Sequence, residues 1–189
     1  MLLILFLLRN RSGQVDSFIN YKKMRTSLAE IITCPEFQKL RNIGGHKEYH
    51  LEGNALKHTL LVLAEAMSMF PNEPLMWRVA ALHDIGKIYT AIENGPDDWS
   101  YPDHALCGSF KGVLCKFISL EDEDFEKIQW YIRNHIKPLF YAKSEFAELE
   151  KKCPEGCSVR NLARLAVCDI KGSKSVEPQD ALINYLLTV

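Results

Sequence analysis

Apolar residues recur along most of this chain at the three- and four-residue spacing of helices, and no segment alternates convincingly as strands do. Ser17 to Thr33 reads as a first helix, with Ile19, Met24, Leu28, Ile31 and Ile32 at its apolar positions. A short helix over Pro35 to Arg41 is broken by Ile43-Gly44-Gly45-His46, because a glycine pair rarely survives inside a helix. Asn54 caps a long helix to about Met69, closed by Pro71, and Pro74 opens the next, which carries His83 and Asp84 before Gly86. Ile88 to Tyr101 is a loop by composition, dense in turn residues at Asn94-Gly95-Pro96-Asp97-Asp98. Pro102-Asp103-His104 opens a helix to about Ile118. Further helices span Glu121 to Ile136, Ser144 to Lys152, Val159 to Lys171 and Glu177 to Leu187. The pattern predicts an all-α, compact single-domain bundle of about seven to nine helices, without internal repeats.

The 189 residues suffice for one domain with a sizeable core, and a charge of −1 offers no global attraction to nucleic acid or an anionic membrane. Six cysteines lie scattered without a disulfide framework, which predicts free thiols in a reducing, cytoplasmic setting. Cys153-Pro-Glu-Gly-Cys157 lacks a second ligand pair and reads as a turn. The run Leu2 to Leu8 falls well short of the roughly 20 apolar residues a membrane span takes. Its basic residues, Arg9 and Arg11, follow the run, where a secretory signal would place them before it. Residues 1–16 are therefore read as a poorly ordered extension and 17–189 as the domain, with Met24 an alternative start.

The chemistry gathers around Ala80-Ala81-Leu82-His83-Asp84-Ile85-Gly86-Lys87, where an imidazole and a carboxylate stand side by side in an apolar segment. Neighbouring helical side chains point about 100° apart, so both can meet one object only if it is small and close, as a metal ion is. The plainer reading is a buried His paired with Asp. His58 shares a helix face with Leu61 and Val62, Asp169 follows Leu162, Leu165 and Ala166, and His135 stacks over Ile128, Tyr131 and Ile132. His104 stands at the start of its helix. Each alone has an ordinary explanation as a satisfied core histidine or an ion-pair partner. Together they form the kind of nitrogen and oxygen set from which helical bundles build dinuclear sites.

The order His58, His83-Asp84, Asp169 resembles the HD superfamily of metal-dependent phosphohydrolases, and His83-Asp84-Ile85-Gly86-Lys87 is similar to one of its common local forms. The resemblance runs from about Phe37 to Lys174. His58-Thr59-Leu60, Ala80 to Lys87, Thr90 and Pro102-Asp103-His104 are also similar to the HD domain attached to some bacterial tRNA nucleotidyltransferases. No nucleotidyltransferase domain accompanies them in these residues, so that activity is not expected to carry over.

The resemblance implies an HD-type helical domain in which His58, His83, Asp84 and Asp169 hold a first divalent ion. His104 and His135 would add a second, with Asp84 as the bridge; Mn, Fe, Co, Ni, Mg and Zn are not distinguished. It implies a phosphohydrolase cleaving a phosphomonoester or phosphodiester of a nucleotide, cyclic nucleotide or RNA end with metal-activated hydroxide. Lys87 would meet the phosphate as a catalytic cation, with Arg133 and Lys171 as substrate contacts and Arg41, Lys57 and Lys137 as further candidates. Trp99 and Tyr101 either stack on a base or anchor their loop on the core. His46 and His50 fall outside the pattern and are read as facing solvent. The expected partner is a phosphorylated small molecule or nucleotide, or a nucleic acid end, and not a membrane. Two alternatives use the same residues: a dinuclear-iron oxygenase, and a metal-binding HD module without catalysis.

Overall fold

The structure, a computed structural model, describes residues 28–46, 50–175 and 177–189. The expected extension at 1–16 and the first part of the helix from Ser17 lie outside the described residues, and 28–33 are helical. About ten further helices follow: α1 (Pro35–Gln38), α2 (Ala55–Met69), α3 (Pro74–Leu82), α4 (Lys87–Thr90), α5 (His104–Gly108), α6 (Lys111–Leu114), α7 (Phe125–Asn134), α8 (Lys143–Glu150), α9 (Val159–Gly172) and α10 (Asp180–Leu186). The all-α class is as expected. No helix among the described residues is long and apolar enough to cross a membrane.

Local chemistry fixes the helix starts. The Asn54 side chain accepts the Lys57 amide at 2.9 Å, and Ser158 Oγ accepts that of Asn161 at 3.3 Å, so α2 and α9 each have a donor of the first turn satisfied. Pro74 begins α3, where its missing N–H costs nothing. Inward stripes then meet in one core: Val62, Leu63 and Ala66 from α2, Val79 and Leu82 from α3, Ile128 and Ile132 from α7, Leu162 and Leu165 from α9, all essentially removed from water. Each such leucine, isoleucine or valine contributes about 1.5–3 kcal/mol. Arg78 of α3, itself buried, bridges to Asp122 and Asp124 and ties α3 to the turn before α7.

α2 and α9 approach closely at Gly172, where a Cβ would stand 2.6 Å from Val62 Cγ2 and 2.7 Å from the Val62 amide nitrogen. This contact matters to function, because α2 carries His58 and α9 carries Asp169.

Three local expectations change. The segment read as a loop holds a two-stranded antiparallel hairpin, β1 (Ile92–Gly95) and β2 (Asp98–Ser100), turning at Asp97 with φ 56°. Its strands are too short and too polar to leave a two-residue period. The helix expected from His104 to Ile118 divides into α5 and α6, since Gly108 closes against Gly86 and Phe110 is extended. α3 ends at Leu82, so His83 and Asp84 sit in a turn at its C-terminal end, where Lys87 N–H donates to the Asp84 carbonyl at 3.0 Å.

Gly172→Ala should lower stability by about 1–3 kcal/mol through overpacking against Val62. Chemical denaturation of the two proteins tests this; equal midpoints would mean that α2 and α9 have room to separate.

Candidate metal centre

Three of the histidines are held in the same way, each by the carbonyl three residues before it. Nδ1 of His83 donates to Ala80 O at 2.8 Å, Nδ1 of His104 to Tyr101 O at 2.8 Å, and Nδ1 of His135 to Ile132 O at 2.7 Å. With the proton placed on Nδ1 by these bonds, each Nε2 presents a lone pair. Gly86 brings the rings into one space: a Cβ there would stand 1.9 Å from the His104 carbonyl oxygen, so α5 abuts the His83–Gly86 turn backbone to backbone.

Asp84, 2% exposed, lies at the centre. Its Oδ1 is 3.4 Å from His104 Nε2 and 3.8 Å from His135 Nε2. Its Oδ2 is 3.3 Å from His83 Nε2, 3.4 Å from His58 Nε2 and 2.7 Å from Lys87 Nζ. Asp169 Oδ1 closes the group at 3.0 Å from His58 Nε2 and 3.8 Å from His83 Nε2. All six residues expected as ligands are thus brought together.

Two overlapping clusters, His58/His83/Asp84 and Asp84/His104/His135, share Asp84, and within each the donor atoms lie within 4.8 Å of one another. They are positioned to coordinate one or two divalent ions. The hydrogen-bond inventory fits a cation: His58 Nε2, His83 Nε2 and Asp84 Oδ2 are buried and none makes a well-aligned hydrogen bond. Leaving such a group unsatisfied costs about 1–3 kcal/mol; Lys87 beside Asp84 Oδ2 and Asp169 beside His58 Nε2 meet part of that demand, and an ion would meet the rest.

Charge in the cluster is strongly coupled. Burial pushes Asp84 up, but Lys87, His83 and His104 overrule it and hold the carboxyl well below the usual range. Asp169 is likewise pushed up by burial and brought below its ordinary value by His58 and His83. Burial alone would lower His58, yet the Asp169 and Glu52 carboxylates raise it to about 9. His135 falls to about 3 because it is buried and faces His104 and His83. His104 is lowered chiefly by burial.

Asp84, His104, His135 and Asp169 line a cavity of about 530 Å³, whose apolar lining comes from Ile136, Leu139, Ile170 and Leu182. Lys87 lines it, buried, with Nζ 4.4 Å from the centre of the Tyr101 ring. The structure does not bring Arg133 and Lys171 to it: both are exposed and neither lines the cavity. Each lies two residues from an expected ligand, and two helical residues turn a side chain by about 200°, onto the far face. Arg41, Lys57 and Lys137 are outside it as well. Trp99 packs against the core, a Cβ on Gly44 being 2.3 Å from its Nε1, so of the two roles open to it the structure gives it that of loop anchor. Tyr101 anchors the loop too, donating its hydroxyl to Gly44 O, and its side chain lines the cavity.

The reading of His50 as solvent-facing is corrected; His46, half-buried, lines the cavity as well. His50 stands 3.0 Å from Glu52 Oε1 with its ring centre 4.5 Å from that of His58, and burial lowers its pKa. Glu52, 3% exposed, was absent from the expected site altogether. It sits in a non-helical stretch, where no periodicity marks the inward side.

An alignment of 112 residues, 59% of this chain, is 37% identical to the Multifunctional CCA protein of Alkalilimnicola ehrlichii and covers 26% of that protein. The chain thus corresponds to about a quarter of the relative's length. No family model and no solved structure matches it.

The shifts set the pH dependence of the metal-free protein. His58, raised from 6.5 to about 9, contributes stability that is full below 6.5 and lost as pH rises through 9. His135, lowered from 6.5 to about 3, contributes stability present above 6.5 and lost as pH falls through 3. Melting temperature without metal should therefore peak near pH 6.5 and fall on both sides; a profile still rising at pH 9 would contradict the environment assigned to His58.

Proposed function

We propose that this chain is an HD-type, metal-dependent phosphohydrolase acting on a phosphomonoester or phosphodiester of a nucleotide, a cyclic nucleotide or an RNA end. The observation that carries the reading is the convergence of the His58, His83, His104 and His135 Nε2 atoms and the Asp169 carboxylate on Asp84, in the order that resembles the HD superfamily. The partial match to a Multifunctional CCA protein agrees with the resemblance to HD domains attached to tRNA nucleotidyltransferases. Six free cysteines support a reducing, cytoplasmic setting.

In this reading His58, His83, Asp84 and Asp169 hold one divalent ion, and Asp84, His104 and His135 a second. An ion bound there supplies Lewis acidity and brings the pKa of water toward about 7. The chain's own residues do the rest. Asp84 stays ionised at any working pH because Lys87 and the surrounding imidazoles favour its charge. The backbone carbonyls behind His83, His104 and His135 keep the Nδ1 proton in place and the rings from turning. Lys87 is the only lysine or arginine lining the cavity among the described residues, and its charge, placed beside Asp84, favours an anionic group there. Held fixed and away from bulk water, it stabilises negative charge developing on a phosphoryl oxygen.

The test is phosphate release from a panel of phosphomonoesters and phosphodiesters, with Mn²⁺, Co²⁺, Ni²⁺, Zn²⁺ or Mg²⁺ restored to stripped protein. Asp84→Asn should abolish turnover. Lys87→Met, which keeps the buried volume, should lower kcat by about 10²–10³ while metal content persists. Tightly bound iron with oxygen consumption and no hydrolysis would turn the assignment to an oxygenase.

A further inference from the structure

His58 differs from the other three histidines of the cluster in how its ring is held. His83, His104 and His135 sit at helix ends and use a carbonyl three residues back. His58 lies inside α2, where the carbonyls behind it are taken by helix hydrogen bonds, so its Nδ1 needs a partner from elsewhere. Two oxygens reach it: Glu52 Oε1 at 2.9 Å, on a side chain that is 0% exposed, and Ser173 Oγ at 3.4 Å, of which the Glu52 carboxylate is the nearer and the charged one.

Glu52 also joins two segments far apart in sequence. Oε1 faces His50 Nδ1 at 3.0 Å, while Oε2 accepts the Lys174 amide at 2.9 Å. The Leu51 amide donates to the Lys174 carbonyl at 3.0 Å, stitching the approach to α2 onto the exit of α9. Ser173 Oγ completes the seam: it donates to the Asp169 carbonyl at 2.9 Å and stands 3.4 Å from His58 Nδ1.

We propose that Glu52 is a positioning residue for the metal centre. It accepts the Nδ1–H of His58, turns the Nε2 lone pair into the space shared with the Asp84 and Asp169 carboxylates, and clasps α2 to α9 so that His58 and Asp169 would meet an ion there as a pair. The proposal rests on the metal-binding reading above. Carboxylates behind metal-ligating imidazoles fix ring orientation and raise ligand basicity, and their loss typically weakens binding about 10–100-fold. His50, Glu52 and His58 are also near enough to hold an ion of their own, which the experiment separates from positioning.

Full-length protein stripped of metal is titrated with Mn²⁺ and with Zn²⁺ against a chelating dye, wild type beside Glu52→Gln. The expected result is affinity about 10–100-fold weaker in Glu52→Gln, with the same number of ions and a melting temperature close to wild type without metal. Unchanged affinity would overturn the positioning role and leave the metal centre standing. Loss of one whole ion, with the remainder bound as tightly as before, would make Glu52 a ligand and overturn positioning. No uptake by wild type would overturn both readings. If Glu52→Gln fails to fold, nitrogen NMR of zinc-loaded wild type decides: a proton on His58 Nδ1 with Nε2 bound supports the role, and a proton on Nε2 overturns it.

Discussion

A buried carboxylate that stays ionised is tolerable only where positive charge and hydrogen-bond donors surround it, and the protein is arranged about one such group. Asp84 has almost no access to water, and an unpaired charge in that position would cost several kcal/mol. Lys87 at 2.7 Å meets part of that demand. Four imidazoles, contributed from α2, the end of α3, α5 and the end of α7, face its two oxygens. Their Nε2 atoms are acceptors where the ring is neutral, so they share with Asp84 the need for a cation.

Close backbone approach delivers this geometry. Gly86 lets α5 press against the His83–Gly86 turn, and Gly172 lets α9 close on α2. A Cβ at either position would overlap atoms of the facing element, so the elements that carry the candidate ligands could not keep their present spacing. The histidine rings are then locked from behind, three by backbone carbonyls and one by Glu52. Scaffold packing and ring orientation are in this sense one constraint: the helices that bury the core are those that fix the donor atoms.

The helical periodicity and the His/His-Asp/Asp order made the centre readable, because inward-facing polar residues on apolar faces stand out against their neighbours. His58, His83, His135 and Asp169 were legible for that reason, Asp84 through its place beside His83 and His104 through the family resemblance, and the six do come together. Glu52 and His50 were not, since a non-helical stretch has no period to mark its inward side. Arg133 and Lys171 show the limit of such reading: each is near an expected ligand along its helix, yet exposed and away from the cavity lining. The short hairpin from Ile92 to Ser100 escaped because strands so brief and polar carry no alternating signature. Lys87 was legible as a residue near the site. Its depth of burial depends on Tyr101 folding over it, a tertiary contact that sequence spacing does not encode.

The most direct test is the metal content of purified and reconstituted protein, by elemental analysis, with Asp84→Ala prepared in parallel and checked for intact helical content. If Asp84 is the shared centre of both clusters, wild type holds one or two divalent ions per chain and the variant retains none. Wild type that takes up no ion under any loading condition, or a variant that binds as wild type does, would contradict the account.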